Sequence, residues 1–379
     1  MAKKSAKKSK TDYWSCPKTT KAFEIALYYG FVPQEPVAIE KIDREHAKNF
    51  ISEGHMFVDP AEKSALIRKW FKDSVPSSPV MFASTRDNYS LDIIGTNQGI
   101  ADATLLKVLY ETVKSEGYED ISLELNSVGD RESFARYSKD LGNYHRKHAS
   151  TLHVDCRQIF KKNPYTTLVC QHAECKEAYV KTPYSMNYLS EPSRTYFMEL
   201  LELLEKTDIP YNLNNALVAN PEFAIHTIFR ITANIGEKKN EIVAYGSRWG
   251  LIAKKSGFKK DIQGVSGTVR IGRLKKTKEQ MKIQKPKCYF IQMGQEAKYK
   301  SLSVIETLRQ SKISVYHSLT KDKFTAQLMS AENLKVPYII IMGQKESVEN
   351  TVLVREMENR CQETIRVEHI ASYLRKMMR

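Results

Sequence analysis

The sequence predicts an α+β protein, in which an antiparallel sheet with flanking helices precedes a smaller α/β domain. Two patterns support this fold class. Strand-like segments follow one another between residues 209 and 247, which favours an antiparallel sheet. From about Lys285 onward, strands alternate with helices over short links, and this order is typical of a small, mostly parallel layered domain.

The first third of the chain alternates helices with extended segments. Residues 19–31, 61–73 and 101–116 repeat apolar side chains at helical spacing, and Gly30 is suited to end the first of these helices. The segment FVPQEPVAIE contains two prolines and is therefore predicted to be extended. PVMFAS and YSLDIIG are short apolar runs between turn-forming residues, which predicts two strands.

The rest of the chain completes the sheet and builds the second domain. DISLELNSVGD alternates as a strand, residues 131–151 form a polar helix, and residues 193–207 form an apolar helix with Ser193 as its candidate N-cap. Beyond Lys285, KCYFIQMG, ISVYHS and VPYIIIMG are predicted strands, and two helices lie between them. VPYIIIMG is almost wholly apolar, as a central strand buried on both faces should be.

Composition excludes some classes of protein. The chain has 379 residues, enough for two or three domains with cores of their own, and no window approaches the length of a membrane-spanning helix. The first ten residues carry five lysines but lack the apolar stretch of a signal peptide, so we expect a basic, disordered tail over residues 1–12 and a cytoplasmic location.

Positive charge is in excess and partly clustered. The chain has 59 Lys and Arg against 44 Asp and Glu, a formal charge of +15. Residues 254–287 alone hold twelve basic side chains and two acidic ones. Basic segments bind phosphates because each contact releases a condensed counterion, so this stretch predicts RNA contact. The alternatives are a solvated linker and a generally lysine-rich surface. The candidate contacts are Lys254, Lys255, Lys259, Lys260, Lys275, Lys276 and Lys278.

Six scattered cysteines suit a reducing compartment. Cys170, His172 and Cys175 lie close together in CQHAEC, and either Cys156 or His153 would complete four zinc ligands. The spacing is not that of two C-x2-C pairs, however. The sequence therefore favours buried thiols, and no metal ligand is assigned from it.

Several motifs occur in a fixed order between residues 29 and 252. YGFVPQEPVAIE joins a helix to an extended segment that contains Pro36. Asp92–Gly95 is an acidic turn that ends in glycine, Asp102–Ala103 opens a helix, and Asn126–Asp130 ends a strand as Asn-Ser-x-Gly-Asp. IPYNLNNALVANPEFAIHTIF and YGSRWGLI follow. Together these segments resemble histidyl-tRNA synthetases of class II and their non-catalytic relatives.

The resemblance covers about residues 20–379 and carries expectations about the fold. It implies a class II antiparallel sheet with flanking helices over residues 13–283 and an anticodon-binding-like α/β domain over residues 284–379. It also implies a homodimer formed through residues 20–40, the first class II motif.

Most side chains that this family uses for catalysis are replaced. The second motif of the family contains Phe-Arg-x-Glu, whereas Phe82 is followed here by alanine, serine and threonine, with Arg86 as the basic residue near them. The Leu-Arg-Pro-Glu segment that holds the substrate's amino group reads Val-Asp-Pro-Ala, with Glu62 one position late. In the histidine-recognition motif, Ala219 stands in place of the arginine and Glu222 in place of the aspartate.

A few remnants of the catalytic set persist. Arg248 matches the arginine of the glycine-rich strand, and either Arg270 or Arg273 would fill the arginine position of the third motif. The resemblance therefore gives Arg86, Glu222, Arg248, Arg270 and Arg273 as remnant catalytic positions. The alternative for Arg248 is a structural ion pair with a carboxylate under the sheet.

Three hypotheses about function follow. In the first, the chain is a synthetase-like protein that binds tRNA or another structured RNA without charging it. The second is a working histidine–tRNA ligase, which would use ATP and Mg²⁺ as well as histidine. The third is a regulatory or accessory subunit with a protein partner. The first is favoured, because the loss of several transition-state donors, each worth roughly 3–4 kcal/mol, would leave little catalysis.

Overall fold

A computed structural model of the chain describes most of its residues. The described ranges are 13–15, 21–48, 58–72, 76, 78–162, 164–170, 172–179, 181–217, 223–258, 261–270 and 282–378. The chain forms two compact units, which we call the sheet unit (Gln34–Arg273) and the terminal unit (Met1–Pro33 with Leu274–Arg379). The sequence assigns residues 13–283 and 284–379 to two domains, and those bounds stay a prediction.

The described residues form fifteen strands and thirteen helices. In chain order the strands are β1 (Tyr13–Ser15), β2 (Val32–Pro33), β3 (Val80–Thr85), β4 (Tyr89–Ile94), β5 (Glu119–Gly129), β6 (Tyr211–Leu213), β7 (Ala224–Ile235), β8 (Lys238–Trp249), β9 (Gly264–Val269), β10 (Lys282–Gln284), β11 (Cys288–Gln292), β12 (Val315–His317), β13 (Tyr338–Met342), β14 (Thr351–Glu356) and β15 (Gln362–Arg366). The helices are α1 (Lys21–Tyr28), α2 (Lys41–Ala47), α3 (Pro60–Phe71), α4 (Gly99–Ser115), α5 (Arg131–Lys147), α6 (Val154–Lys162), α7 (Ala173–Tyr179), α8 (Glu191–Lys206), α9 (Leu251–Lys255), α10 (Gln295–Gln310), α11 (Phe324–Leu334), α12 (Gln344–Glu349) and α13 (Ile370–Met377).

Strands of the sheet unit form one sheet in the order β3-β4-β9-β8-β7-β5-β6. Neighbouring strands are antiparallel from β3 to β5, and β6 pairs parallel to β5 at the edge. The predicted α+β class with a large antiparallel sheet is confirmed. Of the strand-like segment 209–218, the structure describes residues 209–217, and strand structure there is confined to the three-residue β6.

The centre of the sheet depends on a close approach between β8 and β9. Gly246 pairs with Gly267 across these strands. A Cβ atom at Gly246 would lie 2.2 Å from the carbonyl oxygen of Ser266 and 2.4 Å from the Phe229 ring. Only glycine fits a position where another backbone approaches so closely. This pair therefore fixes the register of β8 against β9, the strand that also pairs with β4 and places Ser266 opposite Asp92.

Helix α4 is buried along most of its length in the sheet unit, and α8 packs beside it. The sequence-based prediction of Ser193 as the N-cap of α8 is wrong. The helix begins at Glu191, and the Ser190 hydroxyl accepts a hydrogen bond from the Ser193 backbone N–H at 3.3 Å. Pro192 explains the earlier start, because proline is tolerated in the first turn of a helix, where its missing N–H is not needed.

A helical segment lies between α5 and α8. It contains α6 and α7 together with three 3-10 turns, over Ala149–Thr151, Pro164–Val169 and Ser185–Tyr188. Leu152, Cys156 and Cys175 form a small buried cluster there, with Cys170 packed against it. This segment therefore has a core of its own, small and rich in sulfur.

In the terminal unit, a five-stranded sheet has the order β12-β11-β13-β14-β15. The first three strands are parallel, as the sequence predicts, whereas β14 and β15 add an antiparallel ribbon that the sequence analysis does not predict. Tyr29, which follows α1, donates a hydrogen bond to Glu306 of α10 at 2.7 Å. No helix in the described ranges combines the length and the apolar character that crossing a bilayer requires.

Candidate functional site

One face of the sheet carries an ion pair at its centre. Lys63 of α3 is 2% exposed, and its Nζ lies 2.5 Å from Asp92 Oδ1 on β4. The Ser266 hydroxyl donates to the same Asp92 oxygen at 2.5 Å, and the Trp249 indole donates to Ser266 at 2.8 Å. Glu62 Oε1 lies 3.1 Å from the lysine. Two carboxylates therefore contact a single buried ammonium group, and the Ser266 hydroxyl holds one of these carboxylates in place.

The protonation of this pair follows from its surroundings. Burial lowers the pKa of Lys63, but the Asp92 and Glu62 carboxylates outweigh burial and raise that pKa above its usual value. Burial raises the pKa of Asp92, and the Lys63 ammonium opposes that rise. Lys63 is consequently held as a cation, and an anionic ligand at this position would have to compete with Asp92 for it.

Apolar rings cover the same face around the ion pair. Phe82 lies opposite Asp92 in the β3–β4 register. Phe223 and Trp249 are fully buried, with ring centroids 6.4 Å apart and planes 16° apart. All three rings belong to one core cluster that also contains Leu66 and Phe71. The face above these strands is therefore built from hydrophobic packing, with the Lys63–Asp92 pair embedded in it.

Arg248 points to the opposite side of the sheet. Successive strand residues alternate between faces, and both Ser247 and Trp249 lie on the Asp92 side through their pairing with β9. The Arg248 guanidinium instead contacts Asp102 of α4, with Nη2 2.6 Å from Oδ2, and donates to the Thr96 carbonyl at 2.7 Å. The structure therefore does not bring Arg248 together with Asp92.

The Arg248–Asp102 pair is part of a buried network. Tyr196 of α8 donates its hydroxyl proton to Asp102, and the Arg248 guanidinium carbon lies 5.4 Å from the centroid of the Tyr196 ring. His226 stacks on Tyr196 with a centroid distance of 4.5 Å. Burial lowers the pKa of His226, and the Arg248 charge lowers it further, so this histidine is neutral at pH 7. This arrangement agrees with the second role considered for Arg248, a structural ion pair with a carboxylate. A catalytic role for Arg248 stays a prediction.

The other predicted catalytic residues lie at different places. The exposed Arg86 donates from its guanidinium to the carbonyl oxygen of Val37. Arg270 follows β9, and its charge acts on Tyr245, although burial has the larger effect and raises the pKa of that tyrosine. Arg270 and Arg86 each follow a strand that pairs with β4 at Asp92, four residues beyond Ser266 and Phe82 respectively. Glu222 and Arg273 lie outside the described residues.

The predicted RNA contacts are described only in part. Lys254 and Lys255 are exposed at the end of α9, and Lys254 Nζ lies 3.8 Å from Asp261. Both lysines line a 570 Å³ cavity, together with Arg131 of α5 and His226 of β7. Lys259, Lys260, Lys275, Lys276 and Lys278 lie outside the described residues. The two exposed lysines provide positive charge beside a cavity within the sheet unit.

The structure brings together four of the sulfur and nitrogen ligands weighed in the sequence. One potential ligand atom each from Cys156, Cys170, His172 and Cys175 lies within 4.8 Å of all the others. Burial raises the pKa of the Cys156 thiol to about 12, and neighbouring cysteines contribute to this shift. Burial also tends to raise the pKa of Cys170, but hydrogen bonds, chiefly from the His172 backbone, lower it to about 7.

Sequence reasoning missed Lys63 and Tyr196. The sequence did hold a signal that Lys63 is buried. It lies between Ala61 and Ala65 in a segment with helical spacing, and these residues belong to the buried face of α3. Tyr196 gave no comparable signal, since its partner Asp102 is 94 residues away in the chain.

Comparison with known proteins adds three findings. The family model described as "Anticodon binding domain" matches residues 287–377. A histidine–tRNA ligase of Dehalococcoides mccartyi is 27% identical over 296 residues, which are 76% of this chain and 70% of that protein. A histidine–tRNA ligase of Streptococcus sanguinis is 28% identical over 284 residues, 74% of this chain and 66% of that one.

The fold has a counterpart among solved structures. The apo histidyl-tRNA synthetase of S. aureus matches with a TM-score of 0.52 and 18% sequence identity, over 93% of both chains. At this identity the match establishes the shared architecture, and it says nothing of catalysis.

Proposed function

This chain is a histidyl-tRNA synthetase-like protein of class II with an anticodon-binding domain, and from this premise we propose that it binds tRNA without charging it with histidine. The observation that carries the proposal is the Lys63–Asp92 ion pair. In this pair the buried Lys63 ammonium lies 2.5 Å from the Asp92 carboxylate, so an anionic substrate would have to compete with Asp92 for the cation.

Amino-acid activation requires several fixed cations. A carboxylate must attack the α-phosphate of ATP, so fixed cations have to neutralise charge that develops in the transition state. Ala83 stands where the second motif of the family has an arginine, and Ala219 replaces the arginine of the histidine-recognition motif. Arg248 is paired with Asp102 on the other side of the sheet. Arg86 and Arg270 follow strands that pair with β4 at Asp92, and Arg86 donates to the Val37 carbonyl. Two remnant cations replace the larger arginine set of the family poorly.

The RNA-binding half of the proposal stands on charge and on the terminal unit. Residues 254–287 hold twelve basic side chains against two acidic ones, and Lys254 and Lys255 are exposed. The match to the anticodon-binding model covers residues 287–377, directly after this stretch in the chain. Lysine contacts with phosphates release counterions, so RNA affinity should depend strongly on salt.

Two assays on the full-length protein test the two halves separately. ATP–pyrophosphate exchange with histidine and Mg²⁺ should stay at background, whereas filter retention of tRNA should show binding that weakens steeply as salt rises. Exchange well above background would instead establish the ligase, for which the similarity to histidine–tRNA ligases is the supporting observation. Binding that is independent of salt would contradict phosphate contact.

The remaining expectations about partners are tested in the same preparations. We propose that the chain forms a homodimer through residues 20–40, and sedimentation velocity should then give twice the monomer mass of 43.6 kDa. A regulatory or accessory role would show as a second protein that co-purifies in stoichiometric amount and stays bound when RNA is removed by nuclease.

A further inference from the structure

We propose that Cys156, Cys170, His172 and Cys175 bind a structural zinc ion in the helical segment between α5 and α8. The set comes from three places: Cys156 lies on α6, Cys170 and His172 lie between the 3-10 turn and α7, and Cys175 lies on α7. Three thiolates and one imidazole are a ligand set that zinc uses in closed, structural sites.

Distances within the cluster fit a tetrahedral ion. Zinc–sulfur bonds of about 2.3 Å place two sulfur ligands about 3.8 Å apart, and a sulfur and a nitrogen ligand about 3.6 Å apart. Cys156 Sγ lies 3.6 Å from His172 Nδ1 and 3.2 Å from Cys170 Sγ, and Cys170 Sγ lies 3.0 Å from His172 Nδ1. With the four ligand atoms within 4.8 Å of one another, shifts of less than about 1 Å complete the tetrahedron.

Groups around the ligands are placed as supporting contacts of a metal site. The His172 backbone N–H donates to Cys170 Sγ at 3.5 Å, and the His153 backbone N–H donates to Cys175 Sγ at 3.4 Å. The His153 ring stacks on His172 at 3.7 Å with only 5° between the planes, which fixes the orientation of the imidazole. Such outer contacts stabilise thiolate charge and hold ligands in position.

The geometry also decides between the two candidate fourth ligands. Cys156 Sγ lies among the other ligand atoms, whereas His153 stacks on His172 and its Nδ1 lies 3.7 Å from Asp155. His153 therefore serves as a positioning residue beside the site. On binding, each cysteine thiol gives up its proton and His172 coordinates through Nδ1 as the neutral ring.

Zinc suits this cluster better than Mg²⁺, Ca²⁺ or a disulfide. Thiolate and imidazole donors disfavour Mg²⁺ and Ca²⁺, which prefer oxygen. A disulfide requires sulfur atoms about 2.05 Å apart, well below the 3.2 Å between Cys156 and Cys170. Because the small cluster of Leu152, Cys156 and Cys175 supplies little apolar area, a metal link from α6 to α7 would stabilise the segment.

The test measures metal in the full-length protein purified under reducing conditions without chelators. Elemental analysis should find about one zinc per chain, and Co²⁺ exchanged into the site should give the visible absorption of a tetrahedral thiolate complex. Cys175→Ser and His172→Ala should lose the ion, whereas His172→Cys should retain it as a four-cysteine site. Cys361→Ser, which changes an exposed cysteine elsewhere, should keep one ion per chain.

Each alternative outcome overturns the proposal. Reduced protein that neither contains zinc nor gives the Co²⁺ spectrum, although circular dichroism shows it folded, would exclude the site. A disulfide between Cys156 and Cys170 found by mass spectrometry in protein handled without oxidant would also exclude it. Equal zinc content in His172→Ala and in Cys361→Ser would place the ion elsewhere. None of these results depends on RNA binding or on aminoacylation.

Discussion

Lys63 Nζ and Asp92 Oδ1 are 2.5 Å apart, and the two side chains are 2% and 1% exposed. The pair connects α3 to β4, so it acts between elements that are separate in the chain. Removing one member of a buried ion pair leaves an uncompensated charge in a low-dielectric interior. The strength of this interaction is therefore best measured by comparing a single with a double substitution.

Lys63→Met should destabilise the protein by about 3–5 kcal/mol, because Asp92 then stays buried without its cation. Lys63→Met combined with Asp92→Leu should recover most of that stability, since apolar side chains of similar volume fit among Phe82 and Trp249. Urea unfolding of the three proteins gives these free energies. Lys69→Met serves as the control on the exposed face of α3 and should change stability by less than about 0.5 kcal/mol.

A double mutant as unstable as Lys63→Met would contradict this account. It would mean that the polar contacts from Ser266, which donates to Asp92 at 2.5 Å, matter more than the lysine.

Asp130 gives a second prediction, on pH. Partial burial raises the pKa of this N-cap carboxylate of α5, but hydrogen bonds from Ser133, Ser190 and Ser193 outweigh it and lower the pKa to about 2. In the unfolded chain the pKa is about 3.9. A lowered folded-state pKa stabilises the protein above the unfolded value, and the contribution disappears as pH falls towards the folded value.

The measurement compares wild type with Asp130→Asn, which keeps a capping side chain without the titration. The wild type should be the more stable by urea midpoint at pH 5 to 7, and its advantage should shrink as pH falls from about 4 towards 2. An advantage that stays constant over this range would show that charge at Asp130 is unimportant. Asp208→Asn, which changes a carboxylate outside α5, controls for general charge effects.

The exposed pair Lys254 and Lys255 gives a prediction on RNA binding. Replacing both with alanine should weaken tRNA binding and reduce the slope of log affinity against log salt by about 1 for each phosphate that is no longer neutralised. The matched control replaces Lys238 and Lys239, an adjacent lysine pair that is also exposed in the sheet unit. Filter binding over a salt series measures both slopes. Equal weakening in the two variants would mean that α9 makes no specific contact with the RNA.

Much of the fold could be predicted from sequence because its signals are local. The helical spacing of residues 61–73 and the alternation of DISLELNSVGD depend on neighbours in the chain, and α3 and β5 form there. Pairs that bring distant segments together left no such signal. Lys63 and Asp92 are 29 residues apart, and Arg248 and Asp102 are 146 residues apart.

The candidate site shows the same limit, with one exception. Strand alternation alone could have placed Arg248 on the opposite face from Ser247 and Trp249, because the period of a strand is two residues. The choice between Cys156 and His153 could not be made from spacing, because it depends on how α6 turns its residues towards α7. Physical contacts across the fold therefore decide which predicted ligands and charges act together.

Two glycines provide the last prediction, on stability. Gly246→Ala should destabilise the protein by more than about 3 kcal/mol or prevent folding, because its Cβ would lie 2.2 Å from the Ser266 carbonyl oxygen, a backbone atom that the β8–β9 register holds in place.

Gly142→Ala provides the contrast. Gly142 lies within α5, and an added Cβ would meet nothing within 4 Å. Alanine there should stabilise the helix by about 0.5–1 kcal/mol. Thermal unfolding of both variants measures the difference. A Gly246→Ala protein as stable as wild type would show that β8 and β9 are not in the register that pairs Gly246 with Gly267.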